Sequence, residues 1–294
     1  MTKSAIDTHQ LRFRKVLEYI DSHLDNNLTV DNLSNIAAFS KYHFHRQFSK
    51  LFGISVYKYI QINRLKRASY QLAFRDQMQL IDIWLASGYE NYESFSRAFK
   101  KSIGQTPSEF RISPHWNSWR STYQPLTDLR LKHMKPVSTP TQVKIITFKD
   151  TRVAALEHRG DPNLIGNSVR QFIKWRKQNN LPPSLSDTFN ILYNNSGEIS
   201  PGDYHIDICV SIQHHVADNP FGIIEKIIPG GRCAVLRHIG DDANLGSLIT
   251  YLYSEWLTLS AEQARDFPIF LQRVSFFPDV PEHEAITDVF LPLK

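Results

Sequence analysis

Two arginines, Arg46 and Arg97, stand at equivalent places in a short pattern that the chain contains twice. Residues 40–53 and 91–104 match at a constant offset of 51 positions, including two phenylalanines and a closing glycine in each copy. A guanidinium group carries a planar fork of N–H donors that can bind the O6 and N7 acceptors of guanine together. Arginine at the same place in both copies therefore favours two related elements that contact nucleic acid.

A helical wheel divides each copy into an apolar side and a polar side. The apolar residues, which we expect to be buried, are Phe44, Phe48, Leu51 and Phe52 in the first copy, and Phe95, Phe99 and Ile103 in the second. The outward residues are Tyr42, Arg46, Ser49 and Lys50 in the first copy, and Glu93, Arg97, Lys100 and Lys101 in the second. One copy alone fits an ordinary amphipathic surface helix equally well, but the two copies repeat the outward charge as well as the core spacing.

Each copy follows a shorter amphipathic segment and a tight turn, at Ala38-Phe39 and at Gly88-Tyr89. Thr29, Ser40 and Asn91 stand where the N-caps of the predicted helices are needed. Two short helices joined by a tight turn, the second with a basic outer face, are typical of a helix-turn-helix unit whose second helix enters the major groove. The sequence therefore predicts two such units.

A continuous helix over residues 55–74 is predicted between the two units, because apolar residues recur there at helical spacing. Its length is about 30 Å at 1.5 Å per residue, and successive major grooves on one face of DNA lie about 34–36 Å apart. One chain could therefore place both second helices in adjacent grooves, so we expect a monomer.

The positive charge of the chain is concentrated in its first part. Residues 1–112 contain 16 Lys and Arg against 10 Asp and Glu, whereas residues 113–294 contain 18 against 19. Such asymmetry favours a nucleic-acid partner, although it also suits a domain that is merely well solvated. Two cysteines, Cys209 and Cys233, are expected to be buried free thiols. With no signal-peptide pattern and no apolar run of about 18 residues, we expect a soluble, cytoplasmic protein with no membrane partner.

The duplicated region resembles the DNA-binding domain of the AraC/XylS family. The resemblance is carried by Phe44-His-Arg-Gln-Phe-Ser-Lys-Leu-Phe-Gly53 and by Gly88-Tyr-Glu-Asn-Tyr-Glu-Ser-Phe-Ser-Arg-Ala-Phe-Lys-Lys-Ser-Ile-Gly-Gln-Thr-Pro-Ser-Glu-Phe-Arg111, and it covers residues 10–112. It implies an all-α domain with two helix-turn-helix units, in a sequence-specific transcription regulator that binds double-stranded DNA. Members of the family are usually activators that recruit RNA polymerase.

The resemblance also assigns roles to residues of both second helices. Base contacts fall at Tyr42, His45 and Arg46 in the first helix and at Tyr92, Glu93, Ser94 and Arg97 in the second. Three lysines, Lys50, Lys100 and Lys101, are expected to contact phosphates, which position the protein without reading bases. Glu93 replaces a neutral amide common at this place, and its carboxylate either accepts from cytosine N4 or repels phosphate. Partial burial at the helix start is the alternative role for Tyr42 and Tyr92.

Residues 113–141 break the helical pattern and are interpreted as an interdomain linker. Four prolines interrupt this stretch, and Trp116 and Trp119 between them are expected to dock on one of the domains.

The last part of the chain, residues 142–294, alternates between strand patterns and helical patterns. Two strands, a helix and two further strands are predicted over residues 143–210, and the same order recurs over residues 223–291. Two such β-hairpin, helix, hairpin units predict an α+β domain built from two βαβ-type repeats, with pseudo-twofold symmetry and a groove where the halves meet. The whole chain is thus predicted to be an α+β multidomain protein.

Residues 142–294 resemble the GyrI-like effector-binding domain. The resemblance is carried by His158-Arg-Gly-Asp-Pro162, Phe172-Ile-Lys-Trp175, Tyr204-His-Ile-Asp207, Ile228-Pro-Gly-Gly-Arg-Cys-Ala-Val-Leu-Arg-His-Ile-Gly240 and Thr287-Asp-Val-Phe-Leu-Pro292. It implies a possible small-molecule effector, apolar or cationic, in an aromatic groove with a glutamate on a late strand. Here Leu271 or Gln272 stands where that acid is expected, which counts against a cationic ligand.

Five aromatic residues are candidates for the lining of this groove, although each also suits a plain core position. They are Trp175, Tyr193, Phe221, Trp256 and Phe270.

No phosphate-binding loop or nucleophile elbow is present in the sequence, so we expect neither an enzyme nor a cofactor. No metal site is expected either, because the adjacent His214 and His215 would point in opposite directions. A weak hydrolase activity of the last domain is the alternative, and it would require Glu157 or Glu225 to have a raised pKa. A third hypothesis, that this domain binds a protein partner, would leave the groove filled by side chains.

Overall fold

The structure is a computed structural model that describes residues 3–133, 142–194 and 200–294. The chain divides into two compact units, Met1–Val137 and Ser138–Lys294. The first unit is helical, and the second is built on an eight-stranded antiparallel sheet with helices. The predicted combination of an all-α domain and an α+β domain is confirmed. Within the described ranges, no helix is long and apolar enough to cross a membrane.

The helical unit contains both predicted helix-turn-helix motifs. Its helices are α1 (Lys3–Ser22), α2 (Val30–Ile36), α3 (Lys41–Phe52), α4 (Val56–Phe74), α5 (Leu80–Ala86), α6 (Tyr92–Ile103), α7 (Pro107–Ile112) and α8 (Trp116–His133). The second helices of the two motifs are α3 and α6, and α4 is the long helix between the motifs.

Local capping explains why α3 and α6 begin and end at matched positions. The side chain of Ser40 accepts from the backbone N–H of His43 at 3.4 Å, and that of Asn91 accepts from Ser94 at 2.9 Å. Both helices end on a glycine in the left-handed region, with φ of 67° at Gly53 and 85° at Gly104. Since glycine alone adopts this conformation without a steric cost, the repeated glycine is a requirement of the helix end.

Two separate cores hold the two motifs, and α4 contributes to both. Phe13, Phe44 and Phe48 are fully buried in the first core, and Phe95 and Phe99 are fully buried in the second. The start of α4 packs into the first core and its end into the second. Because one rigid helix is shared, the two motifs are fixed to a common scaffold.

The interpretation of residues 113–141 as an irregular linker is wrong over residues 116–133, which form α8. Trp116 and Tyr123 are buried in the second core, and Leu126 is buried in the first. The indole N–H of Trp119 donates to Ser69 Oγ at 2.6 Å. Proline in a helix interior costs roughly 3 kcal/mol, and burial of these aromatic side chains offsets the cost at Pro125. The rest of the predicted linker, residues 134–141, lies outside the described residues.

The sheet of the second unit has internal twofold symmetry in its strand order. Its strands are β1 (Lys144–Phe148), β2 (Thr151–Arg159), β3 (Thr188–Leu192), β4 (His205–Ser211), β5 (Ile224–Ile228), β6 (Gly231–Ile239), β7 (Ile269–Ser275) and β8 (Ile286–Pro292). The order across the sheet is β1-β6-β8-β7-β3-β4-β2-β5, with every neighbouring pair antiparallel. Strands β1 to β4 correspond in turn to β5 to β8. When each strand is replaced by its counterpart, the same order is obtained in reverse, so the predicted repeat is present.

The first strand of each repeat pairs with a strand of the other repeat, in place of the hairpin that the sequence pattern predicts. Strand β1 pairs with β6, and β5 pairs with β2, so β1–β2 and β5–β6 are not hairpins. The two short connections between these strands lie against each other. Gly230 donates its N–H to Asp150 Oδ1 at 2.7 Å, and a Cβ at this glycine would lie 2.7 Å from the backbone nitrogen of Asp150. Backbone contact this close requires glycine and holds the exchanged strands in place.

The two faces of the sheet carry different layers. One face packs against α9 (Ile165–Gln178) and against α10 (Leu245–Tyr251), which continues through a π-helical turn at Leu252–Trp256 into α11 (Leu257–Ser260). The other face carries a core cluster made of strand residues together with Phe267. Cys209 and Cys233 are free and buried in this cluster, as predicted.

Candidate functional site

The outer side of α3 presents the side chains that the sequence predicts for the first motif. Tyr42 is 68% exposed, and His45, Arg46 and Lys50 are exposed beside it. The opposite side of the helix is fixed by Phe44, Phe48 and Phe52, which are buried. The helix therefore holds Tyr42 and Arg46 away from the core, where a partner can reach them.

The outer side of α6 repeats this arrangement in the second motif. Glu93, Arg97, Lys100 and Lys101 are exposed. Tyr92 is 37% exposed, and its hydroxyl lies 3.3 Å from Ser108 Oγ. Ser94 is only half-buried, at the start of the helix. The partial burial weighed for the two tyrosines thus fits Tyr92 better than Tyr42, and the individual base contacts remain predictions.

Two arginines in the middle of α4 connect the two motifs. Arg64 Nε donates to the carbonyl of Leu24 at 2.8 Å, and Arg67 Nη2 donates to the carbonyl of Ala86 at 2.6 Å. Arg67 also forms an ion pair with Asp25 at 2.5 Å. Burial and the neighbouring Arg67 lower the pKa of Arg64. These guanidinium groups join the segment between α1 and α2 to the last residue of α5.

Part of the positive charge of the first unit is therefore structural. Lys66 is buried, Arg111 donates to the carbonyl of Met78 at 2.9 Å, and Arg130 pairs with the buried Asp21 at 2.7 Å. The cations on the outer sides of α3 and α6, in contrast, are exposed and available to a partner.

The face of the sheet opposite the helices has a centre made of phenylalanine rings, which we call the aromatic face: Phe148, Phe189, Phe270 and Phe290. Phe270 and Phe290 are stacked with ring centroids 4.7 Å apart, and Phe148 lies 4.9 Å from Phe270. Phe189, Phe270 and Phe290 are at most 4% exposed. The rings thus cover one another at the centre, and Phe148, on the edge strand β1, is the more accessible.

The structure does not bring the five predicted groove aromatics together. Phe270 belongs to the aromatic face. On the other face, Trp256 packs in the cluster that contains α10, and Trp175 and Phe221 pack in the cluster that contains α9. Tyr193 lies just past the end of β3 and is 40% exposed. Side-chain alternation sends neighbouring strand residues to opposite faces, so spacing alone could not assign these residues to one groove.

The late-strand position that the resemblance singles out carries no acid in this chain. Gln272 lies opposite Asp288 of β8, and Asp288 is held by a bidentate pair with Arg237 at 2.7 Å on both oxygens. The acid opposite Gln272, Asp288, is therefore already neutralised by Arg237.

A polar cluster lies on the same face of the sheet as the phenylalanine rings, at one end, and the sequence pattern does not reveal it as a unit. Lys226 Nζ donates to Glu157 Oε1 and to Asp207 Oδ2, both at 2.6 Å. The Tyr193 hydroxyl donates to Asp207 Oδ2 at 2.9 Å, and the Tyr193 ring stacks on His205 with centroids 3.9 Å apart. The sequence signal was Asp207 itself, a charged residue inside an otherwise apolar strand, which needs a buried partner.

Protonation in this cluster follows from the contacts. Burial by itself would lower the pKa of Lys226, but hydrogen bonds to Asp207 and Glu157 outweigh it, and the pKa of Lys226 is raised. Burial lowers the pKa of His205, and the charge of Arg159 lowers it further. Burial raises the pKa of Tyr193, as does its proximity to Asp207.

The carboxylates that a hydrolase would need have shifts in the opposite direction. The hydrogen bond from Lys226 lowers the pKa of Glu157, and the hydrogen bond from Arg152 lowers the pKa of Glu225. A raised pKa at either position, the feature expected of the hydrolase alternative, is contradicted. Each carboxylate has a cationic partner within 2.6 Å that stabilises its ionised form.

Comparison with known proteins agrees with the two domains. Residues 141–294 match the family described as GyrI-like small molecule binding domain, and residues 33–113 match a helix-turn-helix domain family. The probable transcriptional regulator YgiV of Escherichia coli K12 is 35% identical over 152 residues, which are 51% of this chain and 95% of YgiV.

Two further proteins are similar to this chain over different fractions of its length. The right origin-binding protein of Escherichia coli K12 is 33% identical over 138 residues, 47% of this chain and 45% of that protein. The cryo-EM structure of an EcmrR–DNA complex covers 90% of this chain and 98% of the EcmrR chain, with 12% identity and a TM-score of 0.45.

The duplicated motif and its exposed basic helices define a DNA-binding transcription regulator. The second domain of this regulator is of a small-molecule-binding type. The chain belongs to the GyrI-like small molecule binding domain family, and its helical domain is of the AraC type.

Proposed function

We propose that the protein is a transcription activator that binds a bipartite DNA site as a monomer and is modulated through its sheet domain. The observation that carries the proposal is the pair of matched outer faces: Arg46 on α3 and Arg97 on α6 are both exposed, on helices fixed to one scaffold. Helix α4 has 19 residues, about 28 Å at 1.5 Å per residue. That length is compatible with two adjacent major grooves.

The two kinds of exposed cation have different roles in this proposal. Arg46 and Arg97 read guanine through bidentate hydrogen bonds, each contributing about 1–3 kcal/mol of discrimination. Lys50, Lys100 and Lys101 contact phosphates and supply affinity that depends on salt but not on base sequence. Contact with RNA polymerase would follow from binding beside a promoter, and two buried free thiols suit the reducing cytoplasm.

Selection of binding sites from a pool of random duplexes tests this proposal. The full chain is the right reagent, because α8 completes both cores and a fragment ending at residue 112 would lack it. We expect enrichment of two half-sites separated by about one helical turn. Enrichment of a single half-site, or of none, would contradict the proposal.

For the sheet domain, we infer modulation by a small apolar molecule at the aromatic face, entering beside Phe148. The family match and the row of phenylalanine rings support this inference. A protein partner is the second candidate, because the central rings already fill the face, as that hypothesis requires. A thermal-shift screen of the full chain with apolar ligands separates the two: stabilisation that Phe148→Ala abolishes favours the small molecule, and silence across the screen favours the protein partner.

A further inference from the structure

Two buried polar atoms in the polar cluster have no hydrogen-bond partner in the described part of the chain: Asp207 Oδ1 and His205 Nε2. The side chain of Asp207 is fully buried, and its other oxygen already accepts from Lys226 and Tyr193. The two atoms lie 3.4 Å apart, a distance at which a protonated His205 would form an ion pair. A single ion placed between these two atoms would satisfy both of them.

The separation of these atoms matches a metal site. Two ligands about 2.0–2.1 Å from a tetrahedral zinc ion lie about 3.4 Å from each other. Ligand atoms of Glu157, His205 and Asp207 all lie within 4.8 Å of one another, close enough for the three side chains to share one ion. One imidazole nitrogen and two carboxylate oxygens suit zinc and the neighbouring divalent transition metals.

The second repeat of the sheet shows that the fold itself does not require Glu157, His205 and Asp207 at these places. The cross-strand pair Glu157–Asp207 corresponds to Arg237–Asp288, and the pair Arg159–His205 corresponds to Ile239–Ile286. The second repeat thus keeps one of the three ligand types and replaces the others by an arginine and an isoleucine. The combination of a glutamate, a histidine and an aspartate is therefore specific to the first repeat.

We propose that Glu157, His205 and Asp207 bind a divalent transition-metal ion of the zinc type, in competition with Lys226. The ammonium group of Lys226 pairs with both Glu157 and Asp207, and Arg159 pairs with Glu157, but Asp207 Oδ1 and His205 Nε2 are left unsatisfied. A metal ion compensates the same negative charge and satisfies these two atoms as well. Lys226 lies on the edge strand β5, so its side chain can turn away from the cluster when the metal enters.

Titration of the full chain with Co²⁺ tests the proposal, because tetrahedral Co²⁺ absorbs visible light and Zn²⁺ displaces it. We expect one equivalent to bind, and His205→Ala to weaken binding at least about tenfold, since even the outer partners of metal ligands change affinity 10–100-fold. Lys226→Met should tighten binding, because it removes the competing cation. Arg237→Met, which removes the cation at the neutralised pair of the second repeat, should leave binding unchanged.

Absence of a visible Co²⁺ spectrum, or a spectrum that His205→Ala leaves intact, would overturn the assignment. Equal affinities for Lys226→Met and Arg237→Met would overturn the competition. Circular dichroism verifies that each variant is folded. If His205→Ala does not fold, the metal affinities of Lys226→Met and Arg237→Met are compared instead and decide whether the metal binds at this cluster. His215→Ala controls for metal binding at the exposed histidine that pairs with Glu225.

Discussion

At the scale of single residues, Arg97 and Lys101 lie on the same exposed side of α6 but are expected to act differently on DNA. Arg97→Ala should cost about 1–3 kcal/mol on the preferred site and relax base preference within one half-site. Lys101→Ala should weaken all sequences alike and reduce the slope of log affinity against log salt by about one. Titrations of specific and scrambled duplexes at several salt concentrations measure both effects. Indistinguishable behaviour of the two variants would refute this division of roles.

The pair of Lys226 and Glu157 predicts a dependence of stability on pH. The hydrogen bond from Lys226 lowers the pKa of Glu157. A carboxylate with a lowered folded-state pKa contributes stability that is present above its unfolded pKa of about 4.3 and is lost as the pH falls through the folded-state value. Lys226→Met should therefore reduce the melting temperature at pH 7, and its difference from the unmodified chain should shrink as the pH falls below about 4.3.

Melting curves in a chelating buffer between pH 7 and pH 3 test this expectation without interference from metals. Lys149→Met serves as the matched control, because it removes an exposed cation between β1 and β2. Its melting temperature should differ little from that of the unmodified chain at every pH. Parallel curves for the unmodified chain and Lys226→Met would show that the pair contributes nothing to pH-dependent stability.

At the scale of secondary-structure elements, the contacts of α4 set how the two motifs are held relative to each other. Gly88 has φ of 74°, and a Cβ there would collide with Arg64 Nη1. Gly88→Ala should therefore disturb the guanidinium contacts between the motifs and broaden the range of half-site spacings that the protein binds. Gly53→Ala is the matched control, because Gly53 has a similar φ of 67° and open space around the added methyl group.

Affinities for duplexes with zero to five base pairs inserted between the half-sites provide the measurement. Both variants carry the backbone strain of a left-handed alanine, about 1–2 kcal/mol, so only the spacing profile separates them. The same profile for Gly88→Ala and Gly53→Ala would mean that Arg64 does not control spacing.

Helix α8 is predicted to be required for folding of the DNA-binding unit. Trp116→Ala removes a buried aromatic side chain from the second core and should lower the free energy of unfolding by about 3–5 kcal/mol. Arg120→Ala, at an exposed position of the same helix, should change it by less than about 0.5 kcal/mol. Urea unfolding measures both, and a small effect of Trp116→Ala would show that α8 is dispensable.

At the scale of the whole molecule, local signals predicted far more than long-range ones. Ser40, Asn91 and the two closing glycines fix the ends of α3 and α6 through contacts a few residues away, so the sequence predicted both motifs. Helix α8 was missed because its stability comes from Trp116 and Leu126 packing against helices distant in sequence. Short-range propensity and proline content carry no information about such contacts.

Strand pairing shows the same difference between local and long-range information. The eight strands were readable from periodicity, but the exchange of β1 and β5 between repeats depends on contacts such as that of Gly230 with Asp150. The polar cluster was missed as a unit because its members come from β2, β4, β5 and the end of β3. Only register brings Glu157 opposite Asp207, and register was not predictable without the pairing.

Repeated site selection with Arg46→Ala and Arg97→Ala shows whether one chain reads two half-sites with two equivalent helices. The unmodified full chain should enrich a bipartite site. Each variant should then lose base preference in one half only, and the two variants should lose different halves. Loss of the same half in both variants, or an unchanged site in either, would mean that the two helices do not each read one half-site.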